Sequence, residues 1–300
     1  MSLEKIVECV ANFSEGRRQE IVDEIVVSIA RTAGVVVLGA ESDIDHNRSV
    51  LTFVGAPQAV AEAAFSGIRA AAAQIDMNHH QGQHPRIGAA DVIPFVPLRN
   101  VTMAECVELA RTLAARVGEE LRLPVFLYAE AALQESNREL SAIRRSGYER
   151  LRETIRTGQS PQPDFDPRRM GKAGGCLIGA RDILIAFNVY LSTADVAVAK
   201  SIARTIRASS GGMPHVKALG FFVRGKAQVS MNLTNYRVTS MGAAFERIRH
   251  EASQYRIGID GSEIIGLIPR AALTTVSAKD LRIMNYRRER ILEYHLDSGQ

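Results

Sequence analysis

Apolar and polar positions follow two rhythms along this chain. "KIVECV" reads as a short buried strand. In "RRQEIVDEIVVSIART", Ile21, Val22, Ile25, Val26 and Ile29 recur at the spacing of one helix face. Gly34 ends that helix, and "VVVLGA" follows as a strand. The polar loop "ESDIDHN" leads to a strand "RSVLTFVG", an Ala-rich helix "APQAVAEAAFSGIRAAAAQI" and a proline-bounded strand "DVIPFVP". This β-α-β-β-α-β order is the split βαβ unit of ferredoxin-like folds. A helix over 102–122, a strand "PVFLYAE" and a helix over 141–157 extend it.

The stretch "GQSPQPDFDPRRMGKAGG" is dense in Pro, Gly and charge and reads as the linker of the chain. It is also long for a plain connection, which points to a functional loop. Beyond it the element order repeats. "DILIAFNVYL" is a strand, and "TADVAVAKSIARTIRASS" a helix capped by Thr193. "HVKALGFFV" and "AQVSMNLTN" form a hairpin around Arg224–Gly225–Lys226, "MGAAFERIRHEA" is a helix and "EIIGLIP" a strand. The expected architecture is therefore α/β (α+β), with two similar βαββαβ subdomains over 1–178 and 179–300. In "AQVSMNLTN", Gln228, Ser230, Asn232 and Thr234 share one strand face. That face is either an ordinary solvated one or the lining of a ligand channel. Asn188, which interrupts an apolar run, favours the channel, because a buried amide needs partners.

Composition narrows the class. Apolar residues make up 46% and charged residues 23% of the 300, as in a globular protein with a packed core. No stretch approaches the ~20 apolar residues of a membrane span, and "MSLEKIVECVANF" lacks the features of a signal peptide. A cytoplasmic protein without membrane contact is expected. Cys9, Cys106 and Cys176 are few, odd in number and far apart, so they read as small buried residues. The net charge of +4 is mild for a nucleic-acid binder but suits a small anionic substrate.

Candidate chemistry concentrates in "HHQGQHPRIGAADVIPFVP", His79 to Pro97. A metal site needs convergent ligands. His79 and His80 are adjacent, and the spacing matches no standard zinc pattern, so no metal is expected. Pro85 holds His84 extended, and Gly82 and Gly88 permit turns on either side. A histidine pinned in this way suits a general base; the plainer reading is a loop histidine bonded to a backbone carbonyl. Arg86 and Arg48 are candidates for holding a carboxylate through paired hydrogen bonds. In "NFSEG", Ser14 and Glu15 suit the start of the first helix, which leaves Asn12 as a polar contact. "ESDIDHNRSV" is either a solvated turn or a polar site wall.

Taken together, "VECVANFSEG", "DHNRSVLTFVG", "IDMNHHQGQHPRIGAADVIPFVP", "VTMAECVELA", "PVFLYAEAA", "GARDILIAFNVYL", "QVSMNLTNY" and "GSEIIGLIP" resemble the glutamate formiminotransferase (formimidoyltransferase) family, in its order and over nearly the whole chain. The resemblance implies transfer of the formimino group of N-formimino-L-glutamate to N5 of tetrahydrofolate, in histidine degradation. It also implies two α/β subdomains whose sheets face across a tunnel, and a homodimer. His84, in H-P-R-x-G, is the implied catalytic base. Glu41 is the nearest match to an assisting acid, with Asp45 its rival. Residue type, rather than the resemblance, makes Arg48 and Arg86 the candidates for the glutamate carboxylates, and Asn12, Asn188 and Asn232 those for neutral polar contacts. The folate loop maps onto Asp166, Pro167, Arg168, Arg169, Met170, Gly171, Lys172, Ala173 and Gly174. Departures from the family pattern are Ala11 for proline, Gln83 for glutamate and Asp166 for glycine. The chain ends near "RERILEY", where the transferase part of longer forms ends, so a cyclodeaminase is expected as a separate partner. Two rival readings are a non-catalytic folate-binding homologue and a metal-dependent amidine hydrolase using His46, His79, His80 and His84.

Overall fold

A computed structural model of the chain describes residues 4–159, 161–165 and 169–297. Two compact units divide it, Met1–Arg181 and Asp182–Gln300. The first runs β1 (Ile6–Phe13), α1 (Gln19–Ala30), β2 (Val35–Asp43), β3 (Arg48–Gly55), α2 (Pro57–Gln74) and β4 (Ala90–Arg99). It continues through α3 (Met103–Leu121), β5 (Val125–Ala129), α4 (Glu135–Arg138), α5 (Leu140–Arg144), α6 (Gly147–Thr154) and β6 (Cys176–Ala180). Its six strands lie in the order β2-β3-β1-β4-β6-β5. The first four pair antiparallel in the ferredoxin-like order, and β6 and β5 add in parallel beside β4.

Strand alternation sorts this sheet into two faces. Val7, Cys9, Ala11 and Phe13 of β1 and Leu51 and Phe53 of β3 are buried with Ile25 and Ile29 of α1, Phe65 and Ile68 of α2 and Val117 of α3. Each Val, Leu, Ile or Phe among them contributes about 1.5–3 kcal/mol of burial. The opposite face carries Glu8, Asn12, Arg48 and Thr52. The helix expected over 102–122 starts with a capping box, in which Thr102 accepts from the Glu105 amide and the Glu105 carboxylate accepts from the Thr102 amide.

The second unit holds β7 (Ile185–Leu191), α7 (Val196–Ile206), β8 (Val216–Val223), β9 (Lys226–Leu233), α8 (Met241–Gln254), β10 (Ile259–Ile265) and α9 (Leu292–Asp297). Its sheet order, β10-β7-β9-β8, is the ferredoxin-like order again. The hairpin turn is the two residues Arg224 (φ 51) and Gly225 (φ 76), whose positive φ values match the twist of the strands they join.

The sequence reading departs from the structure in several details. The strand β6 had no separate place in it; "CLIGA" joins the first sheet, so the Pro/Gly-rich segment before it does not connect the units. The division expected at 178/179 falls inside β6, and the chain divides after Arg181. The helix expected over 141–157 breaks into α5 and α6, with Gly147 at φ 65. Ser14 does not cap α1; its hydroxyl donates to the Gly88 carbonyl at 2.7 Å. Glu15 takes the amides of Gly16, Arg17 and Arg18 instead. Asp195 rather than Thr193 caps α7, accepting from the Ala197 amide.

Candidate active site

The end of β1, the turn before β3, the histidine loop and the segment leading to β6 are tied together by backbone. The Ser14 amide donates to Ala89 O, the Ala89 amide to Ala173 O, the Gly175 amide to Ile87 O and the Met77 amide to Lys172 O. Gly88 is required where it stands, since a Cβ there would lie 1.9 Å from the Gly175 carbonyl oxygen. At Gly82 a Cβ would meet His46 O at 2.1 Å. Asn47, at φ 46, clamps the same loops: its Oδ1 accepts from the Gly16 amide and its Nδ2 donates to Gln81 O. Two stretches more than 80 residues apart in the chain, the histidine loop and Arg169–Gly174, thus form one wall. Within the latter, Met170, Ala173 and Gly174 are buried, whereas Arg169, Gly171 and Lys172 are exposed. Asp166, Pro167 and Arg168 lie outside the described residues.

At the centre of this region His84 sits between two guanidiniums. Arg48 Nη1 lies 2.8 Å and Arg144 Nη2 3.2 Å from His84 Nδ1. Arg48 also donates from Nε and Nη2 to Asn12 Oδ1, at 3.0 and 2.6 Å. Asn12 is held in turn by its Nδ2 on Val10 O at 2.9 Å. Asp91, 1% exposed, is the carboxylate of the group among the described residues. Its Oδ1 accepts from the Ile87 amide at 2.9 Å, and its Oδ2 from Arg144 Nη2, with Arg48 Nη1 3.5 Å away. Arg144 Nη2 also donates to Pro85 O. The His46 ring meets that of His84 edge-on, with centroids 5.8 Å apart.

These contacts set the state of the imidazole. Guanidinium nitrogens only donate, so His84 Nδ1 is an acceptor and the neutral ring carries its proton on Nε2. Desolvation, then the charges of Arg48 and Arg144, hold its pKa well below the usual 6.5, against the Pro85 carbonyl, which raises it. His80 is a different case. Arg86 Nε donates to its Nδ1 at 3.0 Å and its Nε2 donates to Asn47 O at 2.9 Å, which makes it part of the scaffold. Burial first, and Arg86 further, lower its pKa, against the Asn47 carbonyl. Arg86 is committed as well, through paired hydrogen bonds to Glu149 at 3.0 and 2.6 Å. Among the described residues no group of three His, Cys, Asp or Glu is placed to hold a metal. None of their helices is long and apolar enough to cross a membrane.

The expected site residues are thus distributed unevenly. Asn12, Arg48 and His84 come together. Glu41 shares their sheet face, because it pairs with Val50, which pairs with Asn12. Arg86 points into the ion pair with Glu149. Asn188 and Asn232 lie in the second unit, on one face of its sheet. There Asn188, Tyr190 and Gln228 all donate to Glu263 Oε1, at 3.0, 2.8 and 3.2 Å, and Arg224 donates to Oε2 at 3.2 Å. Sequence reasoning missed Asp91, Arg144 and Glu263. A lone carboxylate opening the apolar run "DVIPFVP" was a signal for Asp91. Nothing in "SAIRRSGYER" distinguishes Arg144 from its neighbours.

Comparison with known proteins gives the family of the chain. Residues 6–181 match the formiminotransferase domain, N-terminal subdomain, and residues 186–294 the formiminotransferase domain. A glutamate formimidoyltransferase of Thermoplasma acidophilum is 49% identical over 98% of this chain and 98% of its own. One from Streptococcus pyogenes serotype M1 is 41% identical over 97% and 99%. The formimidoyltransferase-cyclodeaminase of Rattus norvegicus is 41% identical over 92% of this chain but only 52% of its own length. Matched in both units and from end to end by such relatives, the chain belongs to the formiminotransferase family.

Proposed function

We propose that the protein is a glutamate formimidoyltransferase, moving the formimino group of N-formimino-L-glutamate to N5 of tetrahydrofolate and giving 5-formiminotetrahydrofolate and L-glutamate in histidine degradation. The end-to-end match to glutamate formimidoyltransferases carries this reading. The N5 amine attacks the amidine carbon, and a tetrahedral intermediate forms. N5 loses a proton, the bond from carbon to the glutamate nitrogen breaks, and that nitrogen gains a proton. His84 is the carrier of the proton, taking it as a base and returning it as an acid. Its neutral state near pH 7 leaves a lone pair for the first transfer. Arg48, oriented by Asn12, faces a substrate carboxylate, and Glu41 assists from the same sheet face. Arg169–Gly174 contribute to the folate side. Arg86 is given a structural part. Holding both substrates together supplies the proximity of a unimolecular step.

The homodimer and the cytoplasmic setting belong to the same proposal, as does a partner cyclodeaminase that releases ammonia from the product, an activity that the names of the fused relatives print. The test is turnover of formiminoglutamate with tetrahydrofolate by the wild type and by His84→Ala. The wild type should be active, and loss of the proton carrier should cost about 10²–10⁴-fold in kcat. A wild type that binds folate without turnover would establish the non-catalytic homologue instead. An equally active His84→Ala would remove His84 from the mechanism.

A further inference from the structure

His84 is surrounded in a way that general-base chemistry alone does not require. Nδ1, its only lone pair in the neutral ring, accepts from Arg48 and lies 3.2 Å from Arg144. The Pro85 carbonyl, 3.0 Å from the same nitrogen, is satisfied by Arg144. Among the described residues, the charged and titratable groups with a recorded contact to the ring or to its partners are Arg48 from β3, Arg144 from α5, Asp91 from β4 and His46 from the turn before β3. Among the described residues two guanidiniums thus face one carboxylate, a surplus of one positive charge in a mostly buried cluster. Arg144 is 9% exposed, and its Nε is buried with no hydrogen-bond acceptor among the described residues. A buried guanidinium with an unused donor and an excess of charge calls for one more anion.

We infer that Arg144 is a positioning residue that, with Arg48, masks the base nitrogen of His84 in the free protein and gives it up when a substrate carboxylate binds. The inference rests on the transferase reading for the identity of that carboxylate, one of the two on the glutamate moiety. The carboxylate takes donors from the guanidiniums and offsets the surplus charge. Nδ1 then accepts the N5 proton as the new carbon–nitrogen bond forms, while Nε2 keeps its own. The imidazolium lies beside a neutralised cluster and returns the proton to the departing glutamate nitrogen. A base that is masked until the donor is seated does not waste its proton affinity on solvent. Asp91 is the anchor: through Oδ2 it holds Arg144 against the ring, and through Oδ1 it holds the Ile87 amide of the loop that carries His84.

The experiment is nitrogen NMR on histidine-labelled whole protein, followed through a pH titration with and without saturating L-glutamate. In the free wild type, Nδ1 of His84 should resonate as an unprotonated ring nitrogen, and L-glutamate should raise the midpoint by about one pH unit or more, tenfold in proton affinity. In Arg144→Met the free-protein midpoint should rise, the response to L-glutamate should shrink, and kcat/KM should fall more at pH 6 than at pH 8. If Arg144→Met does not fold, Arg144→Lys carries the test. It keeps the charge but not the planar fork, and should lose the response to L-glutamate in part. A protonated Nδ1 in the free wild type, an unmoved midpoint with L-glutamate, or a folded Arg144 variant that titrates like wild type would each overturn the inference. Absence of turnover by the wild type would sink the transferase reading instead. The Nδ1 state and the Arg144→Met midpoint are read without turnover and without ligand, so the two failures are separable.

Discussion

Replacing Asp91 by alanine tests whether the site is held together as a charge cluster. Asp91 is 1% exposed, and its two oxygens serve the Ile87 amide and the Arg144 guanidinium, with Arg48 at 3.5 Å. At an effective dielectric constant of about 20, the attraction to Arg48 alone is roughly 5 kcal/mol. Desolvation offsets much of this when the pair forms, but removing one partner leaves the other charges buried, at a cost of about 3–5 kcal/mol. The Ile87 amide also loses its acceptor, worth about 1–3 kcal/mol, and the two losses overlap because the same loop relaxes for both. Asp91→Ala should therefore destabilise the first unit by about 4 kcal/mol. Asp91→Asn, which keeps an oxygen for Ile87, should lose about 1 kcal/mol less. Native-state hydrogen exchange of the β1 and β4 amides reads the first unit by itself. The loss should change little between low and high salt, because buried charges are poorly screened. A loss below about 1 kcal/mol for Asp91→Ala, or a less stable asparagine variant, would refute the cluster as the organising element of the site.

Three further outcomes follow from other buried groups. Glu8 is 4% exposed, and burial, opposed by Arg181, pushes its pKa from 4.5 up to about 7. A raised folded-state value means stability is full below pH 4.5 and declines as pH rises through about 7, by roughly 3 kcal/mol in total. Glu8→Gln should remove that decline in urea unfolding compared at pH 5 and pH 8, and an unchanged slope would contradict it. Gly88→Ala should push the histidine loop off Gly175, lowering kcat together with thermal stability; wild-type values for both would show that the loop shifts without cost. Glu263→Leu should strand the donors of Asn188, Tyr190 and Gln228 and destabilise the second unit by about 3 kcal/mol, seen by hydrogen exchange of β7 and β9, where wild-type protection would argue that the hub is dispensable.

The legible parts of the site were those encoded within a few residues. Pro85, Gly82 and Gly88 around His84 impose local backbone limits; the glycines, expected to permit turns, admit the close approach of the His46 and Gly175 carbonyls. Arg48 and Asn12 drew attention as polar residues at strand ends, and alternation puts them on one face. Arg86 looked equally suited to a carboxylate, because its residue type says nothing of Glu149, 63 positions later, which occupies it. Arg144 was illegible for the same reason: it reaches Asp91 across 53 positions and His84 across 60.

The sequence by itself determined the periodic elements, the repeated βαββαβ order and the family motifs. Burial of one strand or helix face and the steric limits of Pro and Gly act over short spans of chain. Only the tertiary structure decided that "CLIGA" closes the first sheet as β6. It alone decided that Glu15 rather than Ser14 receives the start of α1, and that one carboxylate faces two guanidiniums around His84. Charge pairing is set by distances through space between distant segments. A string of residues specifies those distances only once it has packed.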